Sequence, residues 1–392
     1  MNVRVVQHPS GELIPILLDE LDVPLCLPNE FILGRRALAS NTLIRNSREL
    51  AVLHSWAMTD EVDLMDLVIG RVPLTEALVR GSMVEFLRRD QSKNKLVVSP
   101  HTFNQRLTTV RLYLSWLFDL QLSGLISSDS VYENMLVRKK QLCKWIDSSF
   151  ISSPPSNTQI SKGLSPAEVS NLVSLLYPGG NRVIGRDEAV RHRNYVMTMI
   201  MLSLGLRPGE LLSLKVQDIE IGAVSSVRVE RRPPDKNDLR RPRPQIKRNG
   251  RIIPIVDKSF AHELDEYILV WRERLEDKSE FETDYLILSD QGEPLSQSSV
   301  TQFYQILRSK YPSELPSNLS AKSLRHTFSS RMERALRESG MDEERRKKAL
   351  ALLRGDSSLE SQAVYIDQEI EQSSRKALDS YQRKIFSNEE GE

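Results

Sequence analysis

Two short boxes in the second half of the chain carry guanidinium groups suited to gripping one anion. The first reads Gly205-Leu206-Arg207-Pro208-Gly209-Glu210-Leu211, the second Lys322-Ser323-Leu324-Arg325-His326-Thr327-Phe328. A planar guanidinium donates paired hydrogen bonds to non-bridging phosphate oxygens, and two of them stabilise the charge that grows as phosphorus becomes five-coordinate. Lys322 and Arg325 stand three apart in a helical pattern, so one phosphate could meet both. Glu210 is placed to hold the Arg207 guanidinium or the local backbone. The late phenols are Tyr365, within Ala363-Val364-Tyr365-Ile366, and Tyr381. A phenol that attacks a phosphodiester conserves the bond energy in a covalent link, so rejoining needs no cofactor. Lys247, just before Arg251-Ile252-Ile253-Pro254-Ile255, suits protonation of a departing oxygen, its acidity tuned by desolvation beside phosphate and arginines. Arg243, Arg248 and Arg251 compete for that place, and phosphate steering fits this basic stretch equally well. With no phosphate-cradling glycine-rich loop and no carboxylate-rich metal cluster, neither a metal nor a nucleotide cofactor is expected.

These side chains need a scaffold, and 392 residues are enough for two cores. A hydrophobic share of 40% and a charged share of 27% are those of a globular chain rather than a disordered one. Residues 1–30 have short apolar pieces broken by Gly11, Pro15, Pro24 and Pro28, a pattern of strands or extended arms. Residues 1–40 are therefore set apart as an extended N-terminal segment. From 41 to 146 the spacing turns helical, with apolar stripes over 43–58, 74–89, 100–120 and 131–145, and Ser99-Pro100 is a helix start. Residues 147–164, with many serines and Pro154-Pro155, read as a linker. Ser165-Pro166-Ala167-Glu168 has capping-box spacing and opens a second domain, 165–392, with helices near 165–177 and 187–205, strands near 224–232 and 251–256, and mostly helix from Phe260. The fold class expected is mainly α with a small antiparallel β-sheet.

The formal net charge is +1, yet its distribution is uneven. Residues 1–70 hold five Arg/Lys against ten Asp/Glu, whereas Arg228 to Arg251 holds ten against three, so positive charge gathers beside the proposed site. Cys26 and Cys143 are too few and too isolated for a disulfide framework, which fits a reducing compartment. No apolar run is long enough to span a bilayer, and a cytoplasmic location is expected.

Together the boxes resemble the active site of the tyrosine recombinases, or phage-type integrases, over residues 40–386. The family pattern is arginine, lysine, histidine or lysine, arginine, histidine or tryptophan, tyrosine. It falls here on Arg207, Lys247, Lys322, Arg325, Asp356 and Tyr365, with Asp356 departing from it. The resemblance favours Tyr365 over Tyr381 as nucleophile, because Tyr365 follows Gly355-Asp356-Ser357-Ser358 at the family's distance. It implies a helical core-binding domain that closes on double-stranded DNA, here 41–146, with Arg106 and Arg111 as phosphate contacts. A carboxylate facing a phosphate adds repulsion of about 1–4 kcal/mol at 4 Å, so Asp356 is expected to pair with Lys322. The stripe Ile370, Leu378, Tyr381 and Ile385 lacks evident partners. The resemblance implies docking on a neighbouring protomer and a tetramer on DNA, with packing in cis as the alternative. The activity implied is site-specific strand cleavage and rejoining. Two other readings are a DNA-binding protein with the same fold but impaired turnover, supported by Asp356, and a relaxing enzyme of the type IB topoisomerase kind.

Overall fold

The computed structural model describes residues 1–90, 97–152, 163–180, 184–246, 250–355, 374 and 376–383. It divides into two compact units, Met1–Asn157 with Pro234–Asn237, and Thr158–Pro233 with Asp238–Glu392. Both are mainly helical, each with one small antiparallel sheet.

In the first unit, β1 (Asn2–Gln7) pairs with β2 (Leu13–Leu18), Val3 opposite Leu17 and Val5 opposite Pro15. The period-2 alternation turns Leu13 and Leu17 inward. Leu17 joins the core of the helices that follow, so the hairpin is part of this unit rather than a detached arm. The extended pattern stops earlier than its prolines suggest: α1 (Cys26–Leu33) carries Pro28 in its first turn, where a missing N–H removes no helical hydrogen bond. Next come α2 (Ser40–Thr59), α3 (Leu64–Ile69), a π-helical stretch Ala77–Val84 running into α4 (Glu85–Arg88), α5 (Pro100–Leu122) and α6 (Ser130–Asp147). Ser99 caps α5 by accepting from the Thr102 N–H. Trp56, Phe103, Leu107, Tyr113 and Phe118 fill the common core.

The second unit begins with α7 (Pro166–Leu176), closed by the Ser165/Glu168 capping box that the sequence announces. The helix α8 (Glu188–Ser203) is buried all round from Arg193 to Ser203, which explains why its apolar run shows little periodicity. A short α9 (Pro208–Leu211) leads to the sheet β3 (Ile219–Glu220), β4 (Ser225–Val229) and β5 (Arg251–Ile255), all antiparallel. Its register sets Val227 opposite Ile253 and Val229 opposite Arg251. The remainder is helical: α10 (Lys258–Glu266), a π-helical stretch Tyr267–Arg272, α11 (Glu273–Glu276), α12 (Gln297–Lys310), α13 (Ala321–Glu338) and α14 (Glu343–Arg354). No described helix is long and apolar enough to cross a membrane.

Residues 376–383 are helical and settle part of the C-terminal stripe. Leu378 and Tyr381 are buried in the core of their own unit, Tyr381 lies edge-on to Phe328, and the Gln382 side-chain oxygen accepts from the Val256 N–H at 2.9 Å. Within this single chain this portion packs in cis; Ile370 and Ile385 lie outside the described residues. The Tyr381 hydroxyl donates to the Leu202 carbonyl at 2.6 Å. Leu202 stands in the last turn of α8, where carbonyls lack intrahelical partners, so Tyr381 closes an end that would otherwise be buried unsatisfied. Tyr381→Phe is expected to lower unfolding free energy by about 1–3 kcal/mol, read from the denaturant midpoint at unchanged m-value.

Candidate active site: an arginine cluster around Glu210

The path to Arg207 is set by a glycine. Leaving α8, the chain turns at Gly205 with φ +65°, and any Cβ there would collide with the Phe328 ring. Leu206 and Leu211, both fully buried, anchor the two sides of the turn. Arg207 then stands at the N-cap of α9, with Pro208 at its first position. Glu210, in the first turn, reaches back: one carboxylate oxygen accepts from the Arg207 backbone N–H at 2.9 Å and the other from Arg207 Nη1 at 2.8 Å.

The second box lies on α13, started by Ser320 and Ser323 capping each other. Leu324, Thr327 and Phe328 turn inward and take Arg325 with them, leaving it 8% exposed. Arg325 Nη1 donates to the Gly205 carbonyl at 2.6 Å, tying the two boxes together, and stands 3.9 Å from Glu210 Oε2. Lys322 is exposed one turn earlier.

A third element completes the cluster. Arg325 Nη2 and Arg207 Nη1 donate to the same carbonyl, that of Arg354, at 3.0 and 3.1 Å. Arg251, on β5, donates through Nε to the Leu353 carbonyl at 2.8 Å, and through Nη1 and Nη2 to the two Glu210 oxygens at 3.2 and 3.0 Å. Leu353 and Arg354 end α14, whose terminal carbonyls carry the negative pole of the helix, and Gly355 leaves in the left-handed conformation.

Three guanidiniums a few ångströms apart repel one another by about 1–4 kcal/mol per pair at 4 Å. One buried carboxylate and the end of α14 offset part of that, and the surplus stays positive, which suits an anion. Burial pushes the Glu210 carboxyl up, but the hydrogen bond and charge of Arg251, with the backbone and side chain of Arg207, outweigh it and hold the group below its ordinary value. His326 sits among the same cations: burial lowers its pKa first, and Lys322, Arg354 and Arg325 push in the same direction.

The other sequence candidates are variously placed. Lys247, Arg248, Asp356 and Tyr365 lie outside the described residues, so the expected Lys322–Asp356 pairing does too. Arg243 is buried and donates to the Asp238 carbonyl at 2.7 Å. In the first unit, Arg106 Nη1 donates to the Leu87 and Arg89 carbonyls at 2.7 and 2.8 Å, closing the end of α4, and Arg111 is ion-paired with Asp147 at 2.7 Å. The competing phenol, Tyr381, is committed to the core. Sequence reading missed the part of α14, because backbone carbonyls carry no residue signature; Gly355 after a helical run was the available signal. It also missed Arg240, buried with Asp238 and stacked on Tyr285 at 4.3 Å. Among the described residues no group of His, Cys, Asp and Glu could hold a metal ion.

Both arginine boxes thus meet in one cluster of the second unit. The chain belongs to the phage integrase family, whose model matches residues 180–376, half the chain. Among individual proteins it is similar to the tyrosine recombinase XerC of Roseiflexus castenholzii (strain DSM 13941 / HLO8), 28% identical over 218 residues. That alignment takes in 55% of this chain and spans 58% of the relative's length. Two solved structures share the fold. The Tn1549 transposon integrase in complex with transposon right end DNA matches with a TM-score of 0.51 at 17% identity, over 88% of this chain and 97% of that one. The XerH site-specific recombinase bound to difH substrate, a pre-cleavage complex, matches with a TM-score of 0.50 at 15% identity, over 96% and 90%.

Because folding lowers its pKa, Glu210 contributes stability that is fully present above the ordinary value of 4.5 and lost as pH falls through the lower folded value. Glu210→Gln, which strands buried arginines without their counter-charge, is expected to cost about 3–5 kcal/mol at neutral pH. In denaturant titrations the gap to wild type should narrow as pH drops below about 4.5, where the native protein loses the same contribution.

Proposed function

We propose that the protein is a site-specific DNA recombinase that cuts and rejoins double-stranded DNA through a 3′-phosphotyrosyl intermediate. The Tyr365 oxygen attacks the phosphorus, the bond to the 5′ oxygen breaks, and Lys247 gives that oxygen its proton. Arg207 and Arg325 stabilise the charge on the non-bridging oxygens, with Lys322 assisting from the same helix as Arg325. Rejoining reverses the step with a new 5′ hydroxyl, so metal and nucleotide have no part in it. The DNA lies in the cytoplasm, and the reaction calls for paired sites, hence assembly toward a tetramer. Leu378 and Tyr381 are buried in their own unit, which leaves the rest of the C-terminal segment and other surfaces for that assembly.

One observation carries this reading: Arg207 and Arg325, far apart in sequence, donate to a single carbonyl oxygen at 3.1 and 3.0 Å. Guanidiniums that converge on one oxygen are already spaced to converge on a phosphate. Tyr365 follows Gly355 by ten residues, a tether of up to about 33–36 Å when extended, so its return to the cluster is within reach. The family membership and the fold shared with two DNA-bound recombinases agree with this.

The test is covalent trapping on a mixed DNA library, followed by sequencing of the attached DNA. Wild type and Tyr381→Phe are expected to form the adduct, Tyr365→Phe to form none, and Arg325→Ala to form it at least 100-fold more slowly, as for loss of a preorganised donor worth about 3–4 kcal/mol. An adduct that survives Tyr365→Phe would overturn the assignment of the nucleophile. DNA binding without any adduct would leave only the binding function that Asp356 suggests.

A further inference from the structure

In the sequence Arg251 is one of several cations able to touch a DNA backbone. Its placement says otherwise. The side chain is 7% exposed, and its three nitrogens bond the Leu353 carbonyl and both oxygens of Glu210. A planar fork can bridge a helix end and a carboxylate at once, because its donors leave in several directions within one rigid plane. A second observation falls on the partner side of this contact. Gly355, the left-handed cap of α14, lies so close that a Cβ there would stand 2.5 Å from Arg251 Nη1. The glycine thus opens the space that the guanidinium enters.

We propose that Arg251 is a positioning residue: it clamps the last turn of α14 to Glu210, and so fixes where the chain beyond Gly355 sets out relative to Arg207 and Arg325. The inference rests on the recombinase reading, since what that chain carries is Tyr365. Glu210 orients Arg207 through its backbone and side chain, and Arg251 grips the same two carboxylate oxygens. One guanidinium therefore couples the phosphate-binding arginine to the segment that delivers the nucleophile. In-line attack is sensitive to such coupling, because a shift of about 1 Å can reduce a rate 100-fold. Lysine would retain the charge beside Glu210 but, as a point donor on a flexible stem, would not also hold the Leu353 carbonyl in register.

The test compares full-length wild type, Arg251→Met and Arg251→Lys on the duplex recovered by trapping. DNA affinity is measured across a salt series, and the single-turnover rate of adduct formation at saturating DNA. For Arg251→Lys, which keeps the charge, affinity is expected within about twofold of wild type with an unchanged salt slope, while for both variants the adduct rate at saturating DNA falls at least about tenfold. Arg251→Lys keeps the counter-charge to Glu210 and serves if Arg251→Met does not fold. A variant that binds more weakly, loses about one from the salt slope and reacts at the wild-type rate once saturated would make Arg251 an ordinary phosphate contact and overturn the proposal. Arg251→Lys reacting at the wild-type rate with unaltered binding would also overturn it. Absence of an adduct from wild type itself would instead sink the recombinase reading, and this inference with it.

Discussion

The second unit is organised around one buried carboxylate. Glu210, with 1% of its surface exposed, is reached by Arg207 from its own helical turn, Arg251 from β5 and Arg325 from α13. A lone carboxylate in such a place would be driven toward its neutral form, and the arginines without it would repel one another. Each charge makes the others tolerable, so the three elements are locked together at the carboxylate. The cluster is thus preorganised by the fold, as the proposed reaction would require of donors that meet developing charge.

The end of α14 plays the complementary part. Its final carbonyls, at the negative pole of the helix, accept from all three arginines, and the chain then departs through a left-handed glycine. An ordinary helix terminus is turned into a gauge that spaces the guanidiniums. The same contact ties the spacing of the guanidiniums to the point where the chain leaves α14 at Gly355, which is the coupling that the proposed reaction would use.

Charge concentrated in sequence is not all charge available to a ligand. Within the basic stretch from Arg228 to Arg251, Arg232 pairs with Asp218, Arg240 with Asp238, Arg251 with Glu210, and Arg243 donates to a backbone carbonyl. These contacts hold the Pro/Arg-rich loop against the core that it would otherwise leave, since prolines deny it regular hydrogen bonding. A membership in the phage integrase family does not by itself distinguish such internal arginines from those that face DNA; burial and partners do.

What the sequence determined by itself was local. Helical spacing over 100–120, the Ser99-Pro100 and Ser165/Glu168 caps, the strands flanking the Pro/Arg-rich loop and the two arginine boxes could be read because each depends on neighbours within a few residues. The period of the apolar positions gave the mainly helical fold with a small sheet. Three things awaited the tertiary structure: that Arg207 and Arg325 share the Arg354 carbonyl, that Arg251 faces Glu210, and that Leu378 and Tyr381 fill their own unit's core. All three join residues separated by tens to well over a hundred positions, and the first runs through a backbone carbonyl, a group that is the same in every residue. Side-chain type reveals what a group can donate or accept; only the folded chain decides which partner stands within reach.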